Sequence, residues 1–150
     1  MKYQDAAWLS TDGIPRKDHV SMNHPLVSQL RFTRSEFLRA VKGVADDDAR
    51  QRILPMNCIS WNIGHLAWHT ITSAADPWLD TLTSARLQKH VISNGRQIAP
   101  TCGNLLQRVI YHYWYHIGEN LAIRQQLGHT HLPQFVGAID SKAPYRPEKS

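Results

Sequence analysis

A chain of 150 residues, 42% of them apolar, can bury one proper core and is too short to split into several domains. Lys+Arg 17 against Asp+Glu 12 gives a net charge of +5, yet the basic residues Arg31, Arg34, Arg39, Arg50, Arg52, Arg108 and Arg124 are scattered and form no stripe of the kind a nucleic-acid surface needs. No stretch reads as a membrane span or as the apolar core of a secretory signal, and Cys58 and Cys102 make neither a disulfide framework nor a CxxC pair, so a cytoplasmic protein is expected.

Residues 1–22 hold no sustained period and are expected to be a loosely ordered arm, with 23–150 forming a single helical domain. A first helix is expected from about Asn23, with Pro25 in the first turn, where its missing N–H does no harm. Leu26, Leu30, Phe37, Val41 and Val44 keep a helical period; Gly43 and Asp46-Asp47-Asp48 end it, and Pro55 bars continuation. Asn57 reads as the N-cap of a second helix. Its apolar line is Ile59, Ile63, Leu66 and Ile71, with Trp61, His65, Trp68 and Thr72 beside it. The pattern runs on to Asp76-Pro77, where a kink or division is expected, and continues through Trp78, Leu79 and Leu82 to about Leu87. Val91, Ile92 and Ile98 flank Asn94-Gly95, a turn signal for a small hairpin or an irregular loop. The last helix runs from about Thr101 to Leu127, with Gly128 where a left-handed C-cap belongs. Beyond it, Pro133, Pro144 and Pro147 predict an extended tail, its first half pinned by Leu132, Phe135, Val136 and Ile139. The fold class is all-α, an antiparallel helical bundle.

Chemistry concentrates in Tyr111-His112-Tyr113-Trp114-Tyr115-His116-Ile117-Gly118-Glu119. His112 and His116 are one helical turn apart, so both rings leave the same face and can grip one divalent ion. Leu105, Val109, His112, His116, Glu119 and Ile123 fall on one stripe, which places the histidines on an inward face where they need satisfying. A third ligand must come from another helix. His65 is the choice, with His69 as competitor one turn further on. Three imidazoles leave a coordination position open, the pattern of a reactive rather than a closed site. Loading should weaken as pH drops through the imidazole range, because protonated histidine cannot ligate. Against this, nine histidines make chance HxxxH pairs common, and a buried histidine is often only hydrogen-bonded. His19, His24, His90, His129 and His131 read as surface or capping residues. Glu119 reads as a carboxylate that orients an imidazole, as a general base, or as a partner of Arg124 or Arg108. Tyr111, Tyr113, Trp114 and Tyr115 are read mainly as packing.

Asn57-Cys58-Ile59-Ser60-Trp61-Asn62-Ile63-Gly64-His65-Leu66-Ala67, the histidine segment above, and Arg124-Gln125-Gln126-Leu127-Gly128-His129 together resemble the DinB-like superfamily, over about 24–147. The resemblance implies an up-down-down-up four-helix bundle. It also implies a divalent ion held by one histidine of the second helix and an HxxxH pair of the fourth; here those positions are His65, His112 and His116. Some members are thiol-dependent transferases or isomerases, so a low-molecular-weight thiol or another small molecule is the implied substrate. Imidazole donors suit zinc, nickel, iron or copper, with zinc and nickel foremost. This chain departs from the family at one point: Ala67-Trp68-His69 runs almost directly into Thr70-Ile71-Thr72-Ser73-Ala74-Ala75-Asp76-Pro77, with no loop between. A single long helix over 57–82 is therefore expected, the second and third helices fused, with the bundle completed by domain swapping in a homodimer. The functional expectation is a metal-dependent transferase or hydrolase; the alternative is a non-catalytic metal-binding or structural bundle.

Overall fold

The computed structural model describes residues 23–69, 72–134 and 136–146, and only the backbone at 67–69 and 72–74. The expected arm over 1–22 lies outside the described residues, and so does the junction at 70–71 on which the fused helix depends.

Helix α1 spans Pro25–Val41. Pro25 sits in its first turn, and His24 caps it by accepting the Leu26 N–H at Nδ1, 3.2 Å away. Gly43 follows with φ +74, and a five-residue helix α2 covers Asp46–Arg50, its three aspartates at the positive N-terminal end of the helix dipole. Helix α3 is Ile59–His69. It begins one residue later than an Asn57 cap requires: the Cys58 carbonyl accepts the first helical bond, from Asn62 N. Helix α4 is Thr72–Leu79 with Pro77 inside it. The expected run to Leu87 is interrupted. Thr81 N and Leu82 N bond only three residues back, which tightens and ends the helix, and Thr83 then caps a separate short helix α5, Ser84–Leu87.

Strands β1 (His90–Ser93) and β2 (Arg96–Thr101) form an antiparallel hairpin. Asn94 and Gly95 take φ +50 and +71, the two positive values a type I′ turn demands. Register runs Ser93↔Arg96 and Ile92↔Gln97, with an irregularity before His90↔Thr101. Helix α6, Cys102–Gln126, is capped by the Thr101 hydroxyl, which accepts Asn104 N, and is followed by Gly128 at φ +80. The tail is not wholly extended. Pro133 and Pro144 leave room between them for one turn, and α7 forms at Ile139–Lys142. Ile139 is exposed, Leu132 and Val136 are half-buried, and Phe135 lies outside the described residues; polar contacts to α1 also hold the tail.

Directions follow from pairings. Phe37 meets Tyr113 edge-on at 5.7 Å, Phe32 meets Trp114 at 6.2 Å, and Arg124 bonds the Ala40 carbonyl, so α1 and α6 run parallel. Asn57 contacts Glu119, while His65 contacts His112, so α3 runs antiparallel to α6. Arg34 pairs with Asp76 and Arg31 with Asp80, so α4 runs antiparallel to α1. The core between them contains Leu30, Phe37, Leu66, Leu79, Leu106, Ile110, Tyr113 and Ile117. The fold is mostly helical with one small sheet, as the all-α expectation has it in outline.

Candidate metal centre

The buried face of α6 is Leu106, Ile110, Tyr113, His116, Ile117, Asn120, Ile123 and Arg124. Of the expected stripe, His116 and Ile123 are buried and Val109 packs against the core, while the centre of the face lies about one residue further round. His116 is buried as expected, and His112 and His65 are half-buried at the edge of the core. On α3 the correction is similar. Ile59, Asn62 and Leu66 face in, while Ile63 and Trp61 are exposed. His65 lies one turn beyond Asn62, on the flank that faces α6.

The three rings converge. His65 Nε2 lies 3.2 Å from His112 Nε2, and His116 Nε2 lies 3.0 Å from the same atom. The candidate ligand nitrogens of all three fall within 4.8 Å of one another. A tetrahedral ion with Zn–N bonds of 2.0–2.1 Å would set its ligand nitrogens about 3.3 Å apart, close to the two shorter separations. Among the described residues this is the one cluster of His, Cys, Asp or Glu side chains that could hold a metal ion. Hydrogen bonding alone serves it poorly, since one N–H on His112 cannot aim at both neighbours. A cation at the centre would meet all three lone pairs. His69 ends α3, but its side chain lies outside the described residues.

Glu119 supplies the support. Its Oε2 lies 2.8 Å from His116 Nδ1, and its Oε1 accepts the Asn57 backbone N–H at 3.2 Å. With the carboxylate accepting, Nδ1 carries the imidazole proton and Nε2 is left as a bare lone pair aimed at the cluster. Arg124, one of Glu119's alternative partners from the sequence, instead bonds the Ala40 carbonyl at 2.6 Å and His129 Nδ1 at 3.1 Å. His129 passes the link on to Asp48, 3.1 Å away. It is thus a half-buried connector, not a surface residue.

Aromatic rings enclose the centre. Trp61 stacks on His65 at 4.6 Å and 16°, and it also lies 6.2 Å from His116. Tyr115 meets His116 edge-on at 5.1 Å. Behind the ligands, Asn62 Nδ2 donates to Asn120 Oδ1 at 2.8 Å, and both residues are fully buried. Sequence reasoning passed over this pair, although a signal existed: each asparagine sits at an inward position of an otherwise apolar helical stripe. Cys58, at the start of α3, has its thiol held below the ordinary value of 9.0, first by the Ser60 hydroxyl and then by the Trp61 backbone N–H. An open cleft of about 440 Å³ lies on the adjoining face of α6, between Asn104, Gln107, Arg108, Tyr111 and Ala99-Pro100. It contains none of the histidines, so the convergent chemistry belongs to the trio. No helix of the described residues is long and apolar enough to cross a membrane.

No family model, curated protein or solved structure matches this chain.

Proposed function

We propose that this is a divalent-metal protein of the DinB-like kind, with His65, His112 and His116 as ligands and zinc or nickel, or else iron, as the ion. The observation that carries the reading is the meeting of three Nε2 atoms from two antiparallel helices, two of the separations matching a tetrahedral ligand edge. Three protein ligands leave a position open, and an ion bound so would lower the pKa of a thiol or water placed there, which suits a transferase or hydrolase acting with a low-molecular-weight thiol or another small molecule. The chain's own contribution is legible. Glu119 fixes the tautomer of His116, Trp61 holds the plane of His65, and the half-buried setting of His65 and His112 leaves access from solvent. That access favours a reactive centre over a purely structural ion.

The proposal extends to assembly. The parallel α1 and α6, with α3 and α4 antiparallel to them, fit an up-down-down-up four-helix bundle. The short stretch between α3 and α4 favours their fusion and a swapped homodimer, in the cytoplasm. Elemental analysis of protein purified without a histidine tag tests the centre: about one ion per chain is expected, lost in His112→Ala with helical content retained. Absence of any stoichiometric metal under metal-replete conditions would overturn the reading. Light scattering tests the dimer, and a compact monomer at micromolar concentration would remove it.

A further inference from the structure

Two large aromatic side chains are exposed against the trio, Trp61 at 48% and Tyr115 at 67%, and Tyr111, at 67%, is exposed one turn before Tyr115 on α6. Such exposure is costly when several occur together, and clustered exposed aromatics mark a binding surface. Their arrangement is specific. Trp61 comes from α3 and Tyr115 from α6, and both touch His116, from opposite helices. They therefore stand on the two banks of the seam in which the three nitrogens meet. Trp61 is stacked flat, with one face against His65, so its ring plane is fixed by the ligand it covers. Tyr111 continues the α6 bank by one turn, and Arg108, which makes no ion pair among the described residues, lies one turn below His112 on that side.

Charge complements this shape. Three neutral imidazoles and a divalent ion would leave a net positive mouth, offset on the inner side by Glu119, with Arg108 adding a cation outside it. The chemistry that fits is an anionic donor for the open position, joined to a flat apolar body for the aromatic banks.

We propose that the centre takes a small planar substrate, an aryl or conjugated compound carrying an anionic metal-binding head group, with Trp61 and Tyr115 as its clamp. This rests on the metal reading and names the substrate class of the same site. It also gives the aromatic rings a role that packing does not, since packing would have buried them.

The test uses zinc-loaded full-length protein and two hydroxamates with the same metal-binding head, acetohydroxamate and benzohydroxamate, titrated by calorimetry. Benzohydroxamate is expected to bind about tenfold more tightly, the scale of a well-formed aromatic contact plus its buried area. Trp61→Ala and Tyr115→Ala should each shrink that preference at least threefold, read as the ratio of the two affinities in protein assayed as zinc-loaded, so that any loosening of His65 on loss of Trp61 acts on both compounds alike. Two half-exposed sites are used so that a folding defect in one variant leaves the other informative. If acetohydroxamate binds but the phenyl group adds nothing, the clamp is wrong and the metal centre stands. If neither compound binds and no zinc is retained, the metal reading itself has failed. If Trp61→Ala instead converts a dimer to monomers and leaves the hydroxamate preference intact, the aromatic face is a contact between copies and the clamp is overturned.

Discussion

Glu119 is the side chain on which the geometry of the trio turns. One carboxylate oxygen orients His116 and the other holds the backbone at Asn57, so a single group ties a ligand on α6 to the entry of α3. Leucine at this position would release both bonds and free His116 to adopt the other tautomer. Partners of this kind contribute about 10–100-fold to metal affinity. Glu119→Leu is therefore expected to weaken zinc binding by that order in a chelator competition, with circular dichroism unchanged. Glu119→Gln should fall between, because the amide oxygen still accepts from Nδ1. Equal zinc affinity in the leucine variant and the parent would refute the role. The sequence exposed the two residues in the HxxxH pair through spacing alone; it left Glu119 with several partners because Arg124 and Arg108 share its helix and offer it a cation, while spacing alone does not rank them against the His116 ring. What decided was burial. Arg124 turns into the core to meet the end of α1, and the carboxylate is left facing the ring.

At the level of elements, the seam between α3 and α6 is set by an amide pair. Asn62 and Asn120 are fully buried and share one hydrogen bond, while Asn62 Oδ1 and Asn120 Nδ2 have no partner among the described residues. Each unmet polar atom costs about 1–3 kcal/mol, so the pair is a poor device for stability. It is a good device for register. A buried polar pair penalises every sliding of α3 along α6 that separates its members, and one turn away on each helix sit His65 and His116. The double variant Asn62→Leu/Asn120→Leu is thus expected to unfold in urea at higher concentration than the parent, by about 1–3 kcal/mol, while binding zinc more weakly. A double variant that is less stable, or that binds zinc undiminished, contradicts the assignment. The pair also explains an error of reading. Periodicity located α6 correctly between Thr101 and Leu127, and Asn94-Gly95 gave the hairpin, since both signals are local. The centre of the inward face was placed about one residue off because counting apolar residues leaves Asn120 outside; Val109 does pack against the core, but Asn120 is fully buried against the neighbouring helix. The turn at α7 was missed for a related reason, since three prolines forbid a long helix but not a single turn between two of them.

Across the whole molecule, the C-terminal half of α1 is fastened in two ways by different chemistry, and one of them responds to acid. Its C-terminal carbonyls receive Arg124, backed by His129 and Asp48. Further back, Glu36 is buried at 4% exposure, accepts from Arg39 and from the Gly137 backbone N–H, and Arg39 also reaches the Gln134 carbonyl. The tail from about 134 onward is therefore fastened through one carboxylate. Arg39 is the main cause holding the Glu36 carboxyl below its ordinary value of 4.5; burial opposes it, and the Gly137 N–H assists. A carboxyl depressed in the folded state lends stability that is complete above the ordinary value and is lost as pH falls through the folded one. Between pH 7 and about 5 the fastening should hold, and below about 4.5 it should weaken steadily. Hydrogen exchange at the Gly137 amide, followed against pH, should rise in that acid window beyond the intrinsic trend. In Glu36→Gln the acid-dependent rise should vanish, because a neutral amide keeps the acceptor but has no charge to lose, and stability at pH 7 should fall by about 1–3 kcal/mol as the charged bond to Arg39 becomes a neutral one. Parallel pH profiles in the parent and the glutamine variant would show that the tail is secured by something other than this carboxylate, leaving Glu36 as a buried charge without a structural task.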